Sequence, residues 1–318
     1  MTVIKNLAFC DKNKLKNLNS FVESELDLSV FYPFPVDFLH NFLPFGLKFL
    51  NESFVAIENK KIKGLVTVAK AGRKKIKIKR LLCEENSTEQ GKLLVNCVIT
   101  SFLSKGVESF FVIIDKRNLP VLTMFKTALG FSPLAFETIY KTEVKDVLVG
   151  KDDVNFDHIR RKISSDNKKI AKLVNETMNS YQRATFSKEA SDFKVKLGSN
   201  LEQFVVYDRN KEDLLGYFSI LKLNKVDYLL DFVVMKGYEG YFTDIVKYAK
   251  IHLLKKNKFN SLLIRIKSYY SNYNELNEIL NIEYQTSFEN EILVKDFLIP
   301  KKQFSYERMI FNDATPAF

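Results

Sequence analysis

The sequence predicts an α/β fold with a mixed sheet, built twice in one chain. Three observations predict it. The 318 residues are enough for two ordinary domains. Short apolar runs of strand character alternate with amphipathic stretches of helical spacing. A strand–glycine–helix–strand order also occurs once in each half. Phe54-Val55 answers to Phe204-Val205, Gly64 to Gly216, Gly91 to Gly240 and 109–114 to 261–266, at offsets of 150, 152, 149 and 152 residues. Repetition at domain length means duplication of a fold, because solenoid units are only about 20–50 residues long. The expected division is a first domain over 1–147, a linker over 148–156, a second domain over 157–302 and a tail over 303–318.

In the first half, Leu15, Leu18, Phe21 and Val22 have helical spacing within 11–26. Phe31, Phe34, Phe38, Phe42, Phe45 and Phe49 follow at steps of three or four. Pro33, Pro35 and Pro44 forbid one continuous helix there, so short helices or turns are expected, supplying core or a pocket wall. Residues 53–57 and 62–69 read as a hairpin across Glu58-Asn59-Lys60-Lys61. A further strand carries Ile76, Ile78, Leu81 and Leu82. A helix over 92–105 ends at Gly106, a usual C-terminal stop. The run 109–114 is apolar enough for the centre of a sheet. A helix over 119–129, with Pro120 in its first turn, closes at Gly130-Phe131. A last strand starts at 138–142.

The second half repeats the order. A helix is expected over 167–181, a hairpin from 203–207 and 214–221, and a strand over 228–234. Then follow a helix over 241–256, a strand over 262–266, a helix over 272–280 and a strand over 292–298 that ends before Pro300.

Composition narrows the class. Hydrophobic residues at 46% with charged residues at 27% describe a globular chain. No apolar run reaches the 18 residues of a membrane span. The polar start, with Asp11, Lys12, Lys14 and Lys16, is unlike a secretory signal. Cys10, Cys83 and Cys97 lack metal-ligand spacing, so no metal and a reducing, cytoplasmic setting are expected. Cys83 reads as a buried, inert thiol. His158 and His252 read as helix-surface residues, while His40 is distant in sequence. The net charge of +11 leaves anionic partners open. Its densest stretch is 70–80, with Lys70, Arg73, Lys74, Lys75, Lys77, Lys79 and Arg80. Lys75, Lys77 and Lys79 share one strand face, opposite Ile76 and Ile78. Nucleic acid is a possible partner of this stretch but not a favoured one, because no aromatic residues interleave for base stacking.

A helix N-terminus after a glycine-bearing turn suits a pyrophosphate, since it offers unpaired N–H groups and the positive end of the dipole. Asn86 to Lys92 has this character in the first half and Gly237 to Tyr241 in the second. The whole order, with Gly-Phe closing the short helix, resembles the GNAT (N-acetyltransferase) superfamily, twice in tandem. In that family the cofactor turn reads Gln/Arg-x-x-Gly-x-Gly/Ala. Its last glycine falls on Gly91, with Asn86 and Glu89 at the earlier positions. In the second half it falls on Gly240, with Met235 and Tyr238 there. Asn118 and Gly130-Phe131 match the family's downstream Asn and Gly-Phe, with one extra residue before the glycine. Phe125 stands where the family has Tyr. Tyr269, Tyr270 and Tyr273 are near the corresponding helix of the second half but out of register.

The resemblance implies an acyl-CoA-dependent N-acyltransferase, with acetyl-CoA or another acyl-CoA as cofactor and an unidentified small-molecule or protein amine as acceptor. It implies that the fourth and fifth strands of each unit splay and that the pantetheine arm lies between them. By position, Leu81, Leu82 and Cys83 supply strand contacts. Asn86, Ser87, Thr88, Glu89, Gln90, Gly91 and Lys92 supply the phosphate turn, and Asn118 and Phe125 flank it. Glu84 or Glu85 is the candidate base. Val233, Val234, Gly237, Gly240 and Tyr241 are the second-half equivalents. The first half is the expected cofactor site. The degenerate turns and the missing Tyr favour an alternative, a non-catalytic scaffold or acyl-CoA sensor. A tandem-GNAT aminoacyl or lipid acyltransferase is a further one.

Overall fold

The structure, a computed structural model, describes residues 3–6, 19–23, 51–71, 74–83, 88–143, 156–194, 200–208, 213–224, 226–256 and 261–297. Two strands begin the chain, β1 (Val3–Asn6) and β2 (Asn19–Glu23). Then come β3 (Asn51–Glu58), β4 (Lys61–Lys70) and β5 (Lys75–Cys83). Asn59 and Lys60, both left-handed at φ 50° and 63°, make the tight β3–β4 turn whose twist suits a hairpin. Helix α1 (Thr88–Leu103) leads to β6 (Ser109–Asp115). The next helix, α2 (Leu119–Thr123), continues as a π turn over Met124–Ala128 before β7 (Ser132–Glu143). That π turn absorbs the extra residue noted between Asn118 and Gly130.

The second half opens with β8 (Ile159–Arg161), α3 (Asp166–Thr177) and α4 (Ser180–Phe186). A 3₁₀ turn over Ala190–Phe193 follows. Then come β9 (Leu201–Tyr207), β10 (Leu214–Lys222) and β11 (Asp227–Val234). Helix α5 (Tyr241–Leu254), β12 (Ser261–Lys267), α6 (Tyr273–Glu283) and β13 (Gln285–Asp296) complete it.

All of these strands form one 13-stranded sheet in the order β1-β3-β4-β5-β6-β13-β7-β12-β11-β10-β9-β8, with β2 added against β5. The parallel pairs are β5 with β6 and β11 with β12. Lys75 faces Ser109 in the first pair and Asp227 faces Ser261 in the second, both at an offset of 152. The repeat read from the sequence is therefore a repeat of pairing register.

Its closing strands are exchanged. β7 pairs with β12 and β13, and β13 pairs with β6 and β7. Each half's last strand thus lies wholly against strands of the other half and against the other exchanged strand. Because these strands are sandwiched in mid-sheet, they are longer than their local patterns indicated.

Helices α1, α2, α5 and α6 cover one face, over the cores of Ile76, Phe110 and Leu94 and of Phe218, Ile264 and Leu253. Helices α3 and α4 cover the other face through Ile170, Leu173 and Phe186, and reach Phe111 and Ile113 of the first half. Two expectations change. Residues 19–23, expected in a helix, form a strand, and the helix expected over 167–181 is two helices broken at Met178. The aromatic run over 31–49 lies outside the described residues.

Candidate functional site

Both parallel pairs come apart before their strands end. In the first half β5 and β6 pair only from Lys75–Ile78 against Ser109–Val112. The gap beyond is taken by β2, which runs antiparallel to β5 from Arg80 to Cys83, while β4 occupies the opposite edge of β5. The backbone edge expected to hold a pantetheine is therefore already bonded to the chain itself.

The first-half candidates then fall as follows. Leu81 and Cys83 point into the core beneath α1, and Leu82 packs on the opposite face with Val55, Ile62 and Leu65. Burial pushes the Cys83 thiol up to about 12. Thr88, Glu89, Gln90, Gly91 and Lys92 form the start of α1. Glu89 pairs with Lys92 at 2.5 Å, and Gln90 Nε2 donates to Glu58 at 3.4 Å. Asn118 caps α2, accepting from the Val121 amide at 3.4 Å. Phe125 is fully buried, edge-on to Phe131 at 5.1 Å. Glu84, Glu85, Asn86 and Ser87 lie outside the described residues.

In the second half β11 and β12 pair from Asp227–Asp231 against Ser261–Arg265 and then diverge. Val233 and Val234 are buried on opposite faces of β11. Across the gap, Asn272 Nδ2 donates to the Val234 carbonyl at 3.0 Å. Asn272 is fully buried, and its Oδ1 has no hydrogen-bond partner. The link after β12 is latched to the α3–α4 break. Met178 and Tyr270 form a β-bridge, the Asn179 amide donates to the Tyr269 carbonyl at 3.2 Å, and the Ser271 amide donates to the Thr177 carbonyl at 2.8 Å. Phe186 stacks on Tyr269 at 4.3 Å. At the turn, Gly237 is left-handed at φ 88°, and its amide donates to the Glu239 carboxylate at 2.9 Å. A carboxylate thus sits on an amide that a phosphate would use. Gly240 precedes α5 and is exposed. Tyr241 lies 5.4 Å from the His158 ring.

Beside this gap is a charged cluster that the sequence reading missed. Asp231 on β11 accepts from Arg265 Nη2 at 2.7 Å and Lys267 Nζ at 2.8 Å, both from β12. Arg265 Nη1 lies 3.8 Å from the Glu137 carboxylate of β7. Burial would raise the Asp231 pKa, but Arg265 and Lys267 together hold it far below the usual carboxylate range. Burial lowers the Lys267 pKa, with Asp231 opposing. Burial also raises the pKa of Tyr269, which stays protonated at neutral pH. The available signal was one Asp in Tyr-Leu-Leu-Asp-Phe-Val-Val and one Arg in Leu-Leu-Ile-Arg-Ile-Lys, charges set inside apolar central strands.

Other sites shift from expectation. His158 lies in a turn ahead of β8 rather than on a helix, with Nε2 at 3.3 Å from Asp244. His252 is on α5 but half-buried, 3.0 Å from Glu202. Lys75, Lys77 and Lys79 share one face as expected, yet that face is half-buried. Lys75 Nζ donates to the Thr185 carbonyl of α4 at 2.7 Å. Among the described residues no helix is long and apolar enough to cross a membrane.

No protein-family model matches the sequence, and neither does any curated protein. Solved structures do match. A tandem GNAT protein from the clavulanic acid biosynthesis pathway, solved without AcCoA, is 12% identical at a TM-score of 0.61, over 93% of this chain and 98% of that one. A GCN5-related N-acetyltransferase from Sphaerobacter thermophilus is 8% identical at 0.54, over 93% and 95%. A conserved protein of unknown function from Enterococcus faecalis V583, described as a probable N-acyltransferase, is 10% identical at 0.55, over 93% and 72%. At such identities the likeness speaks for the fold alone, and the fold of this chain is a tandem GNAT-like one.

Proposed function

We propose that the chain is an acyl-CoA-dependent N-acyltransferase whose cofactor site is in the second half. The observation that carries this is Asn272. Its carboxamide is buried in the gap between diverging parallel strands, with Nδ2 holding Val234 and Oδ1 left without a donor. A buried acceptor without a partner costs about 1–3 kcal/mol, so a donor from a ligand fits there. An amide of the pantetheine arm is such a donor. Val234 and Asn272 would then orient the arm, and the turn over 236–240 would meet the phosphates. When bound, the cofactor supplies an acyl group activated as a thioester. Tyr269 and Tyr270, buried and latched to the α3–α4 break, exclude water from the gap. In the first half β2 occupies the equivalent edge, which moves the reading away from the half favoured by the sequence motif.

A second reading, cofactor binding without turnover, is favoured by Asp231. This carboxylate beside the gap is fixed by two cations and remains ionised, so it is a weak base.

Thermal unfolding with acetyl-CoA tests cofactor binding. Millimolar acetyl-CoA should raise Tm, as any ligand of the folded state does. Asn272→Ser should reduce the rise. Glu239→Ala should enlarge it, by freeing the Gly237 amide and removing a negative charge. An unchanged Tm would overturn the proposal. Acyl transfer to a broad amine panel separates the two readings.

A further inference from the structure

We propose that the cluster of Asp231, Arg265, Lys267 and Glu137 binds a small zwitterion, an amine that also carries a carboxylate, as an amino acid does. In naming the acceptor class, this rests on the reading of the second half as the acyl-transfer half.

The four side chains lie on one sheet face of three adjacent strands. Asp231 is in register with Arg265, and Lys267 with Glu137. They are enclosed without being sealed, with side-chain exposures of 23% for Asp231, 18% for Arg265, 11% for Lys267 and 4% for Glu137. Tyr269 and Tyr270 wall one side, their rings 5.9 and 5.7 Å from the Lys267 ammonium.

The cluster is incompletely satisfied in both senses. Glu137 has an ion-pair contact at 3.8 Å and, among the described residues, no hydrogen bond. Arg265 Nε has no partner. Lys267 has three N–H donors and spends them here on Asp231 alone. Buried charges normally have their hydrogen bonds filled. What remains open is an acceptor on Glu137, Oδ1 of Asp231, and donors on Arg265 and Lys267.

Charge then selects the ligand. Arg265 and Lys267 balance Asp231 and Glu137. Beyond them stand Lys188 and Asp192, one of each sign, and Lys77 of β5. Among the four side chains that would touch it, a ligand of net charge would leave one ion uncompensated, which is costly. A neutral, dipolar ligand adds no net charge. Its ammonium serves Glu137, and its carboxylate serves Arg265 and Lys267. Asp231 and Arg265 are the last paired residues before β11 and β12 diverge, so the ligand would lie beside the root of the gap that Asn272 spans.

The test measures Tm and calorimetric heat on the full chain with L-alanine, β-alanine and 4-aminobutyrate. Propylamine and propionate serve as the single-charge controls, and acetyl-CoA is run in parallel. At least one zwitterion should raise Tm and give heat, and the controls should not. Glu137→Gln should weaken that binding roughly tenfold or more, as for loss of one charge-assisted hydrogen bond. Absence of zwitterion binding, equal binding of a single-charge control, or undiminished binding by Glu137→Gln would each overturn the proposal. Should that variant not fold, the ligand panel on the unaltered chain still decides. Acetyl-CoA binding without any amino acid overturns the acceptor class and leaves the cofactor reading standing. Amino-acid binding without acetyl-CoA upholds the pocket and overturns the cofactor reading.

Discussion

Gly91 and Gly240 align in the two repeats, yet their surroundings differ. A Cβ on Gly91 would lie 3.3 Å from Met124 Sδ and 3.4 Å from both Cys83 Sγ and Leu81 Cδ2. A Cβ on Gly240 would meet nothing within 4 Å, and its backbone is already helical at φ −56°. Gly91 therefore lets α1 approach β5, whereas Gly240 is spared any such constraint. Gly91→Ala should destabilise the fold by about 1–3 kcal/mol, as overpacking does. Gly240→Ala should be neutral or add up to about 1 kcal/mol, through a less flexible unfolded chain. Urea unfolding of both variants measures the contrast, and equal effects would refute it. The sequence displayed both glycines equally well. What it could not show was which one has a sulfur atom packed above it, because Met124 and Cys83 come from other elements. The charges at Asp231 and Arg265 were open to reading as intruders in apolar strands. Their mutual contact was not, since it depends on which strands pair.

At the scale of elements, α3 is held by its first residue. Asp166 is buried and accepts from Arg160 at 2.9 Å, from the Ile163 amide at 2.8 Å and from the Tyr207 hydroxyl at 2.9 Å. Burial alone would raise its pKa, but these bonds together hold it below the ordinary carboxylate value. A carboxylate depressed in the folded state contributes stability that is complete above its unfolded pKa, about 3.9, and is lost as pH falls through the folded value. Asp166→Asn should therefore cost about 1–3 kcal/mol at pH 7, and the gap to the unaltered chain should narrow below about pH 4. Unfolding free energies from pH 3 to 8 check this, and a gap constant over the whole range would count against it. Elements of local origin were legible. The β3–β4 hairpin followed from its turn, and the ends of α1 and α2 followed from Gly106 and Gly130. Elements fixed by distant partners were not. β2 is a strand because Arg80–Cys83 offers it an open edge. β7 and β13 extend beyond their apolar patterns because each lies between two other strands.

The exchanged strands decide how the whole molecule holds together. β7 belongs to the first half and pairs only with β12 and β13, and β13 belongs to the second half and pairs only with β6 and β7. Ties across the seam reinforce this pairing. Lys126 meets Glu291 at 2.9 Å, Lys116 meets Glu289 at 2.7 Å, and Lys295 Nζ donates to the Leu129 carbonyl at 2.5 Å. Either half alone would leave its last strand without partners and a central strand, β6 or β12, with a bare apolar edge. Such edges seek other strands. Cutting the chain within 148–156 while producing both pieces together should yield a one-to-one complex that unfolds in a single urea transition. Each piece alone should fail to give a folded monomer, and should aggregate or pair with its own copy by the same exchange. Mixing the refolding pieces should restore the complex. Sedimentation with circular dichroism reads all three states. A first piece that sedimented as a folded monomer would mean that β7 can turn back onto β6, and that the shared centre is a convenience of the sheet and not its keystone.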